Sequence, residues 1–481
     1  MGSSSSASKT PSSVGVEGGK AFPIPDGMSL SHWLQGVRAS PLLDHRTTQD
    51  LPTAADVVVI GSGMSGTLIA YELLKRPNPP KNVVVLEARE LCSGATGRNA
   101  GHCKPDQYRG FTRYAKMFGE EQAKKLLEHE FNTWRKLVEF VQQEKVDCDL
   151  WVGDTLDVAM SPEVAHKIGA VFQAYKACGG KVDHINYISD PVEAEKISRL
   201  KGAQAVWSWK ASTFYPWKLV AHIMQLCLDK GLNLQTWTPV SSVTPSASVG
   251  LWSVHTPRGV ISTPTVVYAT NAYTSGVLPS FASYIQPTAH MCNKVIPPRT
   301  FAGGRALQNS YAVMAEGGGT YTINPRCTAD GILLFGGDGP NQRKLKEYLA
   351  EDPPRLFDDS LSDFQPITDA VTDLTSTTFD GWTEGLGAPG VGNVYAWSGI
   401  IGNSADSLPF IGPVPNLPGQ WICAGFHGHG MPHIFSCAPG LVTLMRGGMW
   451  TETGLPECLQ LTTERLERIE REGLDFNRGL V

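Results

Sequence analysis

Apolar residues fall along this chain in two rhythms, and the switches between them mark its elements. Residues 56–60, Asp-Val-Val-Val-Ile, form a β-branched run without polar alternation, the pattern of a strand covered on both faces. Leu68, Ala70, Tyr71, Leu73 and Leu74 then recur at helical spacing, and Val83-Val84-Val85-Leu86 repeats the strand pattern. The order predicted is strand, helix, strand. Ala123, Leu126, Leu127, Phe131, Trp134, Leu137, Val138 and Val141 share one side of a helix over 120–144. Further helices are predicted over 162–178, 216–230 and 438–449, with a charged one over 464–471. Strands are predicted over 150–160, 182–188, 233–238, 265–273 and from 422, and a hairpin over 252–256 and 259–263. Residues 276–390 are turn-rich and strand-like, and no internal repeat is present.

This order predicts an α/β chain: a Rossmann-type unit with parallel strands, interleaved with an α+β unit carrying an antiparallel sheet. The first unit takes residues 51–110, 198–275 and 391–450; the second takes 111–197 and 276–390. Residues 1–28, rich in Ser, Gly and Pro, read as disordered. Residues 31–50, with Trp33, read as a lead-in on the outside of the first unit, and 451–481 as a surface helix.

Composition narrows the classes. At 481 residues the chain exceeds one ordinary core. Its 41 basic and 46 acidic residues leave a net charge of −5 spread without blocks, which offers no footprint for nucleic acid or anionic lipid. No apolar run approaches the roughly 18 residues of a membrane span, and no secretory signal is expected. Met1, Gly2 and Ser6 match a myristoylation pattern that any run of serines would satisfy. The ten cysteines contain no C-x-x-C, and several sit in apolar segments, which favours a reducing, cytoplasmic setting.

Between strand and helix stands Gly61-Ser62-Gly63-Met64-Ser65-Gly66, a G-x-G-x-x-G in the context the motif needs. Gly61 permits the turn, Gly63 lets a pyrophosphate approach the backbone, and Gly66 lets helix and strand pack closely. Free N–H groups at the helix start face the phosphates. Glu87 ends the second strand, where a carboxylate can accept both hydroxyls of an adenosine ribose. The glycine-rich stretch 93–102 that follows suits a loop of backbone donors against the same ligand. A single such motif argues against a flavin and a nicotinamide both being bound.

Four segments together resemble the FAD-dependent oxidoreductases of the D-amino-acid oxidase superfamily, in the branch of glycine, sarcosine and γ-glutamylputrescine oxidases. They are VVVIGSGMSG with Glu87, SGATGRNAGH at 93–102, VVYATNAY at 266–273, and SADSLPFIGPVP at 404–415 followed by GFHGHGM at 425–431. The resemblance spans roughly 50–450 and implies FAD as cofactor. It assigns the adenosine diphosphate to Gly61, Ser62, Gly63, Met64, Ser65, Gly66, Glu87, Ala88 and Arg89. Gly94, Ala95, Thr96, Gly97, Arg98, Asn99, Ala100, Gly101 and His102 would run beside the isoalloxazine. Val240 would meet the adenine, and Ala269, Thr270 and Asn271 the pyrophosphate side. Gly428, His429, Gly430 and Met431 would lie by the pyrimidine edge, where helix-start donors can stabilise a reduced anionic ring.

Two departures matter. Pro432 stands where the sarcosine oxidases carry a Lys, which leaves charge stabilisation to backbone donors or His429. The covalent Cys position falls in Gly319-Thr320-Tyr321-Thr322 and the covalent His position on Arg98, so non-covalent FAD is expected, with His102 and Cys103 keeping a linkage open.

The chemistry implied is oxidation of the C–N bond of an amine or amino acid: hydride passes from the α-carbon to flavin N5 and an imine remains. The substrate nitrogen must be deprotonated, a task that suits histidine. His429 and His102 are the candidates, with Trp397, Tyr321 and Tyr215 as pocket aromatics. Asp406 reads as a turn-forming acid. His427, His429 and His433 are spaced H-x-H-x-x-x-H, but no neighbouring carboxylates complete a ligand set and no metal is expected. The partners expected are a small amine-type substrate and O2 as acceptor, with no nucleic acid and no membrane span. Oxidation of a C–O bond, tailoring of an alkaloid-like metabolite, or a fold kept as a non-catalytic module are the alternatives.

Overall fold

The computed structural model describes residues 21–337, 339 and 341–473. The disorder and lipidation readings over 1–20, and the end of the C-terminal segment, lie outside the described residues.

Two sheets carry the molecule. The first has six strands in the order Phe410–Pro413, Gln420–Ala424, Val266–Tyr268, Val57–Ile60, Val83–Leu86, Asn233–Gln235. All neighbours are parallel except the first pair. Every residue of Val57–Ile60 and Val83–Leu86 is buried, as continuous β-branched runs require when helices cover the sheet. Helix Met64–Lys75 leaves the central strand and packs against Pro216–Leu228 and Met431–Met445. The centre of this sheet places the glycine turn at its carboxyl end, the side on which open α/β sheets hold ligands.

The second sheet is long and mostly antiparallel. It runs Gly392–Ser404, Ile285–Ile296, Leu333–Gly336, Thr320–Asn324, Ser310–Met314, Trp151–Ala159, Ala205–Thr213, His102–Cys103, with Asn186–Ile188 beside Ala205–Thr213. Strands Ala205–Thr213 and Gly392–Ser404, grouped with the parallel unit by sequence, therefore belong here. Much of Gly392–Ser404 alternates buried and half-buried positions, the signature of an antiparallel strand with one face more open. The predicted hairpin is observed at Trp252–Thr256 and Gly259–Thr263, completed by Ser242–Pro245 into a small separate sheet.

Three other expectations are corrected. Helices Gln342–Ala350 and Gln365–Thr378 occupy a region read as strands, since each buries only a thin stripe, Leu345 and Leu349 in one and Ile367, Ala370 and Val371 in the other. The helix expected from 438 begins at Met431, because Pro432 sits in its first turn, where a missing N–H costs nothing. Part of the segment read as disordered is packed, with Ala21 buried and residues 22–24 half-buried while 25–27 are exposed, and Trp33 is fully buried rather than lying on the outside. Its Nε1 donates to the Asn99 carbonyl at 2.6 Å, and its ring meets Tyr215 at 4.8 Å.

The charged helix Thr463–Glu472 is docked through its buried face, where Arg465 makes paired bonds to Asp406 at 2.9 Å each. Among the described residues no helix is long and apolar enough to cross a membrane.

Candidate functional site

The glycine turn is shaped by what its neighbours exclude. Gly61 has φ +105°, and a Cβ there would lie 2.7 Å from the Ala269 carbonyl oxygen. A Cβ on Gly66 would come within 2.0 Å of the Gly61 carbonyl oxygen, so helix and strand touch through bare backbone. Thr96 Oγ1 accepts from the Met64 N–H at 3.0 Å and ties the later loop to the helix start. Glu87 is preset: one carboxylate oxygen accepts from Ser62 N at 3.0 Å and Ser62 Oγ at 2.6 Å, the other from Arg89 N at 3.1 Å.

These groups open onto one continuous cavity of about 1470 Å³. That exceeds the usual ~300–1,000 Å³ of a small-molecule site and gives room for a dinucleotide and a substrate together. Gly61, Gly63, Met64, Ser65, Glu87, Ala88 and Arg89 line it, as do Val240, Ala269, Thr270 and Asn271. Gly94, Ala95, Thr96, Arg98, Asn99, Ala100 and His102 line it from the loop, and Gly428, His429, Gly430 and Met431 from the start of the last long helix. A bare-backbone cradle, a helix N-terminus and an oriented terminal carboxylate fit the phosphates and ribose of FAD.

Seven residues singled out by sequence stand behind the wall instead. Ser62 orients Glu87, and Gly66 packs against Gly61. A Cβ on Gly97 would lie 2.1 Å from the Cys92 carbonyl oxygen, and one on Gly101 2.7 Å from the Trp33 ring, so both shape the loop from behind. Trp397 is fully buried with Nε1 donating to the Arg98 carbonyl at 2.7 Å. Tyr321 lines a small separate void beside Ile367. Tyr215 also lies off the cavity, its hydroxyl donating to the Trp33 carbonyl.

Arg89 and Arg98 touch the cavity but are held from the other side. Arg89 makes paired bonds to Asp359 at 2.9 and 2.8 Å, and Arg98 Nε lies 3.4 Å from the same carboxylate. Arg98 also donates to the carbonyls of Ser398 at 2.7 Å and Ser29 at 2.6 Å.

Two basic residues in the wall were missed in sequence, though they follow the glycine loop closely. Lys104 Nζ contacts Asp157 Oδ1 at 2.5 Å, and Arg109 Nε lies 3.1 Å from Oδ2. Both line the cavity, with Asp157 fully buried behind them. Burial lowers the Lys104 pKa to about 8 despite that partner. Burial likewise pushes His102 down to about 4, helped by Lys104, so its imidazole is neutral.

The His429 imidazole meets a carboxylate that arrives from far away in the chain. Its Nε2 lies 2.7 Å from Oε2 of Glu130, on helix Glu120–Gln143, and His433 Nε2 lies 3.5 Å from Oε1. These atoms fall within 4.8 Å of one another, a spacing one ion could bridge, but the contact at His429 is that of a hydrogen-bonded pair. Glu130 holds the His429 pKa above its ordinary value against burial, which acts the other way. The sequence carried a signal for Glu130: a charged residue on the apolar stripe of its helix, between Leu127 and Trp134.

Comparison with known proteins agrees with this geometry. Residues 56–441 match the family described as FAD dependent oxidoreductase. A probable oxidoreductase, OrdL, of Rhizobium meliloti is 23% identical over 386 residues, covering 78% of this chain and 79% of that one. The γ-glutamylputrescine oxidoreductase of Escherichia coli is 25% identical over 289 residues, 59% of this chain and 64% of its own. Among solved structures, glycine oxidase from Geobacillus kaustophilus superposes with a TM-score of 0.62 at 19% identity, covering 82% of this chain and 96% of that one.

Proposed function

Because this chain belongs to the FAD-dependent oxidoreductase family of D-amino-acid oxidase type, we propose that it oxidises the C–N bond of a small amino acid or amine to an imine, which water then hydrolyses. Bound FAD supplies the two-electron acceptor, and O2 is the proposed oxidant that restores it. The remaining work falls to the chain. Gly61 and Gly63 would present bare backbone to the pyrophosphate, and Glu87, already oriented by Ser62 and Arg89 N, would receive the ribose hydroxyls. The loop at Thr96, Arg98, Asn99 and Ala100, with Gly428, His429, Gly430 and Met431, would bound the redox half of the cofactor. Its hold is proposed to be non-covalent.

The observation that carries the substrate class is the pair of cations in the same cavity, Lys104 and Arg109, sharing the single buried carboxylate of Asp157. A cation of that cluster facing the cavity attracts a substrate carboxylate and disfavours an ammonium ion beside it, lowering the pKa of a bound amine. Both effects favour an amino acid entering with its nitrogen ready to lose its proton. The neutral His102 imidazole adds no positive charge to that wall.

The test is anaerobic mixing of the purified yellow protein with amino acids, N-alkyl amino acids, uncharged amines and 2-hydroxy acids. Loss of visible flavin absorbance with the amino acids, and its return with peroxide on admitting air, is the expected result. Bleaching by 2-hydroxy acids alone would move the reaction to a C–O bond. No bleaching by any of them would refute the reading.

A further inference from the structure

We propose that Glu130 is a positioning residue for His429, fixing that imidazole from outside the cavity as a cation in the cavity wall. The proposal rests on the cavity holding FAD. Glu130 is fully buried, and among the described residues its ion-pair contacts are with His429 at 2.7 Å and His433 at 3.5 Å. Its other hydrogen bond comes from the Asp106 backbone N–H at 2.6 Å, which carries no charge to offset it. A carboxylate removed from water needs a counter-cation, and the closest group able to supply one is the His429 ring.

The protein holds its own controls. His129, buried beside His433, and His433 itself, which meets Glu130 only at the longer 3.5 Å, are both pushed down by burial to about 3. His102, buried elsewhere in the wall, is pushed to about 4. Only at His429, among these four, is burial outweighed, and Glu130 is the first cause that does so. The other charged groups facing it are Asp106 and Arg109 from the segment after His102–Cys103, with opposite effects, and the titratable ring of His433 faces it from helix Met431–Met445. His429 is also the one of the pair that lines the cavity, so the positive end of the pair is nearer the cofactor.

That arrangement makes a prediction whose sign separates it from a structural role. Removing a carboxylate near FAD by charge alone would make reduction easier. Removing it from a pair whose imidazole then loses its proton takes the nearer cation away and makes reduction harder. The experiment measures the two-electron reduction potential of bound FAD at neutral to mildly alkaline pH in wild type, Glu130→Gln, His429→Asn and the double variant. Glu130→Gln should disfavour reduced FAD about tenfold, a fall of about 30 mV. His429→Asn should show a similar fall, and the double variant no more than His429→Asn alone. If Glu130→Gln cannot be isolated with FAD, Glu130→Asp, which withdraws the carboxylate from the ring, should give a smaller fall that also vanishes in the His429→Asn background. A potential that rises or stays put in the Glu130 variants, or a fall that persists without His429, overturns the proposal. A protein that takes up no FAD overturns instead the reading of the cavity.

Discussion

Replacing Asp359 by Asn tests how the cavity is closed on one side. Asp359 accepts from both terminal nitrogens of Arg89, and Arg98 Nε lies 3.4 Å away, with each of the three side chains no more than 3% exposed. Its carbonyl accepts from Ser29 N at 2.8 Å, Ser29 Oγ at 2.8 Å and Arg98 Nη2 at 3.0 Å. Phe22, Pro23, Pro25 and Asp26, just before that tie, line the cavity. Asparagine keeps the size and the backbone but removes the carboxylate that lies against two buried guanidinium groups. Breaking a buried pair in this way costs about 3–5 kcal/mol, because the cations are left uncompensated. Spread over local opening rather than global unfolding, that is on the order of a hundredfold or more in the population of the open strap. Amide exchange of residues 22–31 should accelerate accordingly, and FAD should leave faster on dilution. Asp352→Asn, which removes one of two exposed partners of Arg355, the one at 3.7 Å, should change neither. Exchange in Asp359→Asn within about twofold of wild type would refute the reasoning.

Gly66→Ala should lose FAD affinity while leaving the second sheet folded, because its Cβ would sit 2.0 Å from the Gly61 carbonyl oxygen and force helix and strand apart; apoprotein titration with FAD measures it. Lys104→Met should lower kcat/KM for an amino acid at least about tenfold, the loss expected when a charged partner goes, and leave an uncharged amine nearly unaffected, as steady-state kinetics would read. Stability should fall on mild acidification. Buried His102, His129 and His433 have native pKa values of about 4, 3 and 3, below the unfolded value of 6.5, so the unfolded chain takes up protons that the native one refuses. Their contribution is intact above pH 6.5 and lost progressively toward pH 4 and below, which denaturant midpoints between pH 7 and 4 would show.

What the sequence made legible was local. Val57–Ile60, the glycine turn, Val83–Leu86 and Glu87 declare themselves because a buried parallel strand allows few other residues and the turn allows few other shapes. The hairpin and the helix over Glu120–Gln143 were equally plain, each carrying a full period of its own pattern. What stayed hidden depends on contacts between distant segments. Nothing local in Ala205–Thr213 or Gly392–Ser404 says which sheet receives it. Trp397 and Tyr321 are the kind of residues that line pockets, but here their rings fill space behind the wall. Lys104 and Arg109 share one loop, but Asp157 lies on the distant strand Trp151–Ala159, and the three make one charged cluster only after folding. Glu130 was visible as a charge on an apolar stripe, yet its partner lies 299 positions away.

The central claim is that the first glycine turn opens a single cradle for FAD. A crystal structure of the purified holoprotein tests it most directly. It should show one FAD with its ribose hydroxyls on the Glu87 carboxylate, its pyrophosphate over Gly61 and Gly63, and its ring system between the Thr96–Ala100 loop and His429. A nicotinamide dinucleotide in that place, or FAD bound anywhere else, would contradict the account.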